Sequence, residues 1–262
     1  MRKMLLIIIL ILLILITIKN NNKDSKNNEI EKISYYNNKN KYRYEEYKET
    51  HKNMPLKQII KEVNMNLDKG KYEYFIKSNI NDEEATLVNK YYYLEKNYIP
   101  NNLEIIDSNY SNKSIQLVNF VKDAFENMAE EARKENLNII AMSGYRSYDY
   151  QNTIYNKYVE KDGKEKADTY SARPGHSEHQ TGLAVDIFNV KEDYTNFENT
   201  EEFNWMINNS YKYGFILRFP KNKEKETGYQ YEPWHYRYVG KTIAKYIHDK
   251  KITLEEFHAT KN

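Results

Sequence analysis

The sequence predicts an α+β domain that is preceded by an N-terminal membrane anchor. Short apolar runs typical of strands alternate irregularly with segments of helical periodicity, which favours α+β over a regular parallel βα array. A charge-free apolar run opens the chain, and a polar segment of low complexity separates it from the periodic region. We therefore divide the chain into an anchor, a stalk, an extension and one main domain.

The first 18 residues are interpreted as a signal-anchor or signal peptide. Arg2 and Lys3 precede an uncharged apolar run at 4–18, which is long for a signal-peptide core and shorter than the ~20 residues of a usual membrane span. No small-residue cleavage site follows, so an uncleaved signal-anchor is favoured over a cleaved signal. We therefore expect the protein at the extracellular face of the cell membrane, or secreted to the cell wall.

The next segments differ in their periodicity. Residues 19–53 are rich in Asn, Lys, Glu and Tyr with almost no aliphatic periodicity, and we expect a disordered polar stalk. Residues 54–85 contain one amphipathic helix candidate and one possible strand, and form an N-terminal extension. The packed pattern of the main domain covers 86–258.

Composition excludes several classes of function. Forty Lys and Arg residues against 38 Asp and Glu give a formal net charge of +2, so a nucleic-acid partner is not expected. The chain has no cysteine, which excludes disulfides, thiolate nucleophiles and Cys-ligated metals. Any metal site must use His, Asp and Glu.

Helices and strands of the main domain follow from apolar spacing and from Gly stops. The predicted helices are 114–137, 147–163, 201–214, 241–251 and 253–259, and the predicted strands are 138–147, 182–189, 215–220 and 231–240.

His179 and Asp186 form the first candidate pair for a metal. Asp186 lies inside the apolar strand "LAVDIF", where a buried carboxylate needs a partner. In a straight strand an odd separation would put the two residues on opposite faces, but a bend at Gly182 lets His179 fold back toward Asp186. Imidazole nitrogen and carboxylate oxygen are both normal zinc ligands, although a catalytic site needs a third.

The segment "YEPWHYR" supplies a candidate third ligand, His235. Pro233 excludes a helix interior, so Glu232 is expected on the turn before the strand that carries His235. From there its carboxylate can act as general base on the attacking water. Each residue alone is a weak signal, because an isolated His is more often structural. His176 is nearby but has no spaced partner.

Three ordered blocks resemble the zinc D-alanyl-D-alanine carboxypeptidases of the VanY type, in the lysostaphin, D-Ala-D-Ala peptidase and hedgehog-like group. The resemblance covers about 86–245. The blocks contain the following residues: Ser177, His179, Gly182, Ala184 and Asp186; Glu232, Trp234 and His235; Gly144, Tyr145, Arg146, Ser147 and Gln151. The resemblance implies an antiparallel-sheet core with flanking helices, of the hedgehog/D-Ala-D-Ala-peptidase type.

The resemblance also implies roles for individual residues. One Zn2+ per chain would be held by His179, Asp186 and His235, with Glu232 as general base. Arg146 would be catalytic and bind the substrate carboxylate, since an arginine fork suits one geometrically. Gln151 and Ser177 would bind the substrate backbone. The role of Arg218 stays open between supporting the site and binding substrate.

The implied function is removal of the C-terminal D-alanine from a peptidoglycan stem peptide by a monomeric enzyme attached to the membrane. One alternative is an L,D-carboxypeptidase acting on tetrapeptide stems, which would use the same zinc ligands. A non-catalytic module that binds wall peptide is a second alternative, and Glu232 argues against it because a binder has no use for a base. A purely structural surface protein is a third.

Overall fold

The computed structural model describes residues 32–81, 84–189 and 194–261. Its chain contacts separate two units: one within Met1–Asp68 together with Ala259–Asn262, and one spanning Lys69–His258. The extension and main domain predicted at 54–85 and 86–258 stay predictions.

In its described residues, the first unit contains the helices α1 (Lys41–Thr50) and α2 (Leu56–Asn64), with a short 3-10 turn before α1. Tyr44 on α1 is buried in one cluster with Ile60 on α2. The structure therefore differs from the disordered stalk predicted over 19–53, in the part of that range it describes. The reason is that tyrosine rings supply the apolar contacts that the scarce aliphatic residues do not.

The second unit is built from short strands and helices. The strands are β1 (Ile76–Lys77), β2 (Tyr92–Tyr93), β3 (Leu103–Ile105), β4 (Gln116–Val118), β5 (Ile140–Ser143), β6 (Ala184–Phe188), β7 (Phe215–Leu217) and β8 (His235–Tyr238). The helices are α3 (Asn119–Lys134), α4 (Tyr148–Asp162), α5 (Lys164–Tyr170), α6 (Glu201–Asn209), α7 (Glu224–Thr227), α8 (Gly240–Lys250) and α9 (Leu254–Thr260), the last of which ends in the first unit.

A four-stranded antiparallel sheet with the order β5-β6-β8-β7 forms the centre of this unit. The predicted α+β class with an antiparallel-sheet core and flanking helices is confirmed. Asp186 on β6 pairs directly with His235 on β8, so two of the candidate ligands are register partners. On the other side of β6, Asp186 pairs with Ser143, at a register shift of β5.

Helix α3 closes one side of the sheet. Phe125 is fully buried and its ring meets that of Phe215 at 6.4 Å between centroids. Burying one such side chain stabilises the fold by roughly 1.5–3 kcal/mol. A second apolar cluster joins Ile216 of β7 to Ala244 and Ile247 of α8. The sheet that carries Asp186 and His235 is thereby supported by packed helices.

Within the described ranges, no helix combines the length and the apolar character needed to cross a membrane. The predicted anchor, residues 1–18, lies outside those ranges, so the membrane part of the fold prediction rests on the sequence alone.

Candidate metal centre

His179 lies in a 3-10 helix, Glu178–Thr181, that ends at Gly182. Gly182 has a φ of 69°, in the left-handed region where a side chain is strained, and a Cβ there would meet Val118 at 3.0 Å. This turn directs the chain into β6, so the bend predicted at Gly182 is present. The His179 Nδ1–H is assigned as a donor to the Gly144 carbonyl at 2.7 Å, which leaves Nε2 facing Asp186 Oδ2 at 3.3 Å.

His235 approaches Asp186 from the other side. Its Nδ1 lies 2.9 Å from Asp186 Oδ1, and its ring is nearly perpendicular to that of His179, with centroids 5.0 Å apart. The strand pairing of β6 and β8 sets this approach, because it places the two residues directly opposite each other.

One nitrogen from each of these histidines and one Asp186 oxygen lie within 4.8 Å of one another, and all three residues are buried. The three atoms have the donor chemistry of a catalytic zinc site, with two imidazoles and one carboxylate. Three protein ligands leave a fourth position open, as catalytic zinc sites require. The residues present therefore fit a single zinc ion.

The charges at this centre are strongly coupled. Burial lowers the pKa of His179 to about 4, and the charge of Arg146 acts in the same direction. Burial alone would raise the pKa of Asp186, but His179 and Arg146 hold it well below its usual value. Burial would lower the pKa of His235, but its hydrogen bond to Asp186 and the nearby carboxylate of Glu178 raise it to about 9.

Glu232 lies beside the three candidate ligands, on the turn that leads into β8. The His235 amide donates to the Glu232 carbonyl at 3.2 Å, and the Glu232 Oε2 lies 3.9 Å from His235 Nδ1. The side chain is buried, and burial raises its pKa to about 8. A carboxyl group with a raised pKa beside a metal position has the properties of a general acid–base.

Arg146 follows the end of β5 and reaches the same centre. Its backbone amide donates to the His179 carbonyl at 3.1 Å, and its Nη2 donates to Asp186 Oδ2 at 2.5 Å. Its Nε donates to Ser143 Oγ at 2.9 Å. Sequence analysis did not identify Ser143. Ser143 reaches this position through a shift in strand register between Ala141 and Ser143, and no pattern in the sequence predicts that shift.

Gln151 and Ser177 both line the cleft and are both buried. The Gln151 Nε2 donates to the Ala172 carbonyl at 2.8 Å, and its Oε1 has no hydrogen-bond partner within the described residues. A buried acceptor without a partner is costly, so the Oε1 atom is suited to a ligand N–H. Ser177 precedes His179 by two residues and lies at the same wall.

These side chains surround a cleft of about 480 Å3. One end contains the three candidate ligands and Glu232, and we call it the metal end. The other end is lined by one face of α4, including Tyr150, Tyr158 and Lys161, and we call it the helix end. A cleft of this size accommodates a short peptide.

The two undecided residues lie outside the metal group. Arg218 is fully buried behind the cleft, where it pairs with Glu178 and Glu255, so it supports the site. The His176 Nδ1–H donates to the Asn89 carbonyl at 2.7 Å, and the His176 ring packs edge-on against that of Tyr72.

Comparisons with known proteins agree with this geometry. Residues 114–241 match the family model "VanY: D-alanyl-D-alanine carboxypeptidase". The chain is 33% identical to the bifunctional D-Ala-D-Ala dipeptidase and D-Ala-D-Ala carboxypeptidase VanXYC of Enterococcus gallinarum, over 66% of this chain and 92% of that protein. The chain belongs to the VanY family.

Solved structures of relatives share the fold. The LdcB LD-carboxypeptidase matches with a TM-score of 0.66 and 41% identity, over 74% of this chain and 97% of that one. A mutant of the vancomycin-resistance D,D-pentapeptidase VanY, in complex with Zn(II), matches with a TM-score of 0.59 and 32% identity, over 67% and 98%.

Some relatives are matched over only part of their length. The putative carboxypeptidase YodJ of Bacillus subtilis (strain 168) is 46% identical over 65% of this chain and 65% of its own length. The D-alanyl-D-alanine carboxypeptidase of Enterococcus faecalis is 37% identical over 57% of each. The chain thus spans less than two thirds of these two curated relatives.

Proposed function

We propose that this protein is a zinc-dependent carboxypeptidase that removes the C-terminal D-alanine from peptidoglycan stem peptides. One observation carries the proposal: the atoms of His179, Asp186 and His235 lie within 4.8 Å of one another, with the buried Glu232 beside them in a peptide-sized cleft. Membership of the VanY family, and relatives named as carboxypeptidases, support this substrate class.

The three ligand side chains hold one zinc ion, as supported by their donor set and by the VanY relative in complex with Zn(II). When bound, zinc polarises the scissile carbonyl and lowers the pKa of a coordinated water toward ~7. Because Asp186 already lies close to both histidines, the three side chains need little rearrangement to bind the ion.

Glu232 acts as the general base and then as the general acid. Its carboxylate takes a proton from the attacking water and passes it to the amine of the departing D-alanine. Burial suits it to both steps, because a pKa near neutrality lets the same group accept and release a proton. The reaction needs no covalent intermediate on the protein.

Arg146 and the buried acceptors of the cleft position the peptide. The Arg146 guanidinium, oriented by Ser143, binds the terminal carboxylate or the developing negative charge beside it. Gln151 Oε1 accepts an N–H of the peptide backbone, and the Ser177 hydroxyl makes a further hydrogen bond.

The alternative substrate is a tetrapeptide stem, cleaved by an L,D-carboxypeptidase. It is favoured by the 41% identity to the LdcB LD-carboxypeptidase, against 32% for the VanY D,D-pentapeptidase. Both reactions use the same metal end, so the difference lies in how the cleft accepts the residue before the scissile bond. The presence of Glu232 beside the ligands argues against a non-catalytic binding module.

We further propose that the enzyme is monomeric and acts at the extracellular face of the membrane, attached through residues 1–18, or is secreted to the cell wall. The uncharged run at 4–18, which follows Arg2 and Lys3, supports this location. A position beside the wall would bring the cleft to its substrate.

The test is release of D-alanine by the purified full chain from synthetic pentapeptide and tetrapeptide stems, with and without a zinc chelator. We expect chelator-sensitive release, and the preferred peptide assigns D,D or L,D specificity. Absence of release from both peptides, from protein that holds one zinc per chain, would reject the carboxypeptidase and favour the binding module.

A further inference from the structure

Glu178 is a buried carboxylate that lies between His235 and two buried arginines. It is the residue before His179, and its side chain is only 3% exposed. Its two oxygen atoms face different neighbours. Oε1 accepts from Arg218 Nε at 2.8 Å and from Arg237 Nη1 at 2.9 Å. Oε2 faces the imidazole of His235.

Glu178 faces Nε2 of His235, which is the ring nitrogen on the side away from the metal position. His235 Nδ1 faces Asp186 and the metal position, and its Nε2 lies 3.5 Å from Glu178 Oε2. Both of these atoms are buried and, within the described residues, neither has a hydrogen-bond partner. A movement of about 0.5 Å would bring them to hydrogen-bonding distance.

Two arginines hold Glu178 in place. The guanidinium groups of Arg218 and Arg237 both form ion pairs with Glu178 Oε1, at 2.8 and 2.9 Å. Arg218 is itself held by two hydrogen bonds to Glu255, at 2.9 and 2.6 Å, and Arg237 donates to the Thr86 carbonyl at 2.7 Å. Glu178 is therefore a charged acceptor with little freedom to move.

We propose that Glu178 is a positioning residue that accepts the Nε2–H of His235 and thereby directs the Nδ1 lone pair of His235 toward zinc. Metal-binding histidines almost always donate their second N–H to a carboxylate or a carbonyl, which fixes tautomer and ring orientation. His179 has the Gly144 carbonyl for this purpose. The inference rests on the proposed zinc site and adds the corresponding partner for His235.

A purely structural role for Glu178 would be to neutralise the two arginines. Oε1 already contacts both of them, whereas Oε2 faces His235. The two roles are therefore separable in a variant that keeps the shape of the side chain. In Glu178→Gln, an amide NH2 facing His235 donates to Nε2 and favours the tautomer with its proton on Nδ1, which opposes metal binding.

The experiment compares Glu178→Gln with Glu255→Gln in the full chain. Glu255 is a matched control, because it is also buried and also pairs with Arg218, but none of its hydrogen bonds involves His235. Zinc affinity is measured by competition with a chromophoric chelator, and the ligand geometry by the visible absorption of the Co2+-substituted protein. We expect Glu178→Gln to weaken zinc binding about 10–100-fold and to change the Co2+ spectrum. Glu255→Gln should keep both within about threefold.

Wild-type zinc affinity and an unchanged Co2+ spectrum in Glu178→Gln would overturn the proposal, as would an equal loss in both variants. If Glu178→Gln does not fold, long-range 1H–15N spectra of the zinc-loaded wild type decide. We expect a proton on His179 Nδ1 and on His235 Nε2, and a His235 proton on Nδ1 would overturn the proposal. Neither readout requires peptide cleavage, so failure here is distinguishable from failure of the proposed reaction.

Discussion

The two ends of the cleft are constructed differently. At the metal end, the candidate ligands and Glu232 are 3–6% exposed, and they lie on or beside β-strands whose pairing fixes their separations. At the helix end, Tyr150 and Tyr158 are 58% and 37% exposed on one face of α4. The contrast suggests that the metal end performs the reaction and that the helix end selects the peptide. Substitutions should therefore remove activity at the first and change affinity at the second.

The largest effect is expected from Asp186→Ala. This change removes one candidate ligand and the carboxylate that orients two histidines, so zinc and activity should be lost together, with a fall in D-alanine release of at least about 10^3-fold. Zinc content and release rate are the measurements. Asp162→Ala, at the helix end of the same cleft, is the control and should retain zinc. Full zinc content in Asp186→Ala would contradict the assignment.

Arg146→Lys should lower kcat/KM about 10^2-fold with zinc content unchanged. Lysine keeps the charge but cannot contact Ser143 and Asp186 simultaneously as the planar guanidinium does. Steady-state kinetics on the preferred stem peptide measure the change. A lysine variant within twofold of wild type would show that charge alone is needed at this position.

Gln151→Met tests the helix end with a side chain of similar length and no amide. We expect KM to rise about tenfold with kcat within about twofold, because the variant removes the acceptor for the peptide and leaves the metal end intact. Asn152→Ala, the exposed neighbour on α4, should behave as wild type. A fall in kcat without a rise in KM would place Gln151 in the chemistry instead of in peptide binding.

The last expected effect is on the stability of the metal-free protein and not on its activity. Because burial raises the pKa of Glu232 from 4.5 to about 8, ionising it in the folded state is unfavourable. The free energy of unfolding should therefore fall by up to about 1 kcal/mol per pH unit between these values. Glu232→Gln should remove this dependence. Glu160→Gln, at an exposed position on α4, should retain it. Urea denaturation at pH 5 to 8 measures it, and identical slopes for the two variants would contradict a buried charge at Glu232.

Sequence reasoning could identify the metal end because its chemistry demands rare combinations. A carboxylate inside an apolar strand, as at Asp186, needs a partner, and His179 and His235 are the residue type that supplies one. The antiparallel sheet and its flanking helices followed from the family resemblance. The candidate ligands could be found because each is marked by its residue type and its local sequence context.

Other features depend on contacts that spacing does not reveal. From the sequence alone, Glu178 is expected to be an exposed acidic residue. Its burial depends on Arg218 and Arg237, which follow it by 40 and 59 positions. A signal was present, since both arginines lie in apolar strand segments where a buried charge needs a partner. The stalk prediction was wrong over α1 because tyrosines supplied a core that a count of aliphatic residues does not detect.

The most direct test of Glu232 as the general base is the turnover rate of Glu232→Gln at zinc content matched to the wild type. We expect full zinc binding and a loss of D-alanine release of about 10^2–10^4-fold, the usual contribution of a general acid–base group. A zinc-loaded variant that releases D-alanine at close to the wild-type rate would rule out this role for Glu232, because the proton transfers would then belong to another group.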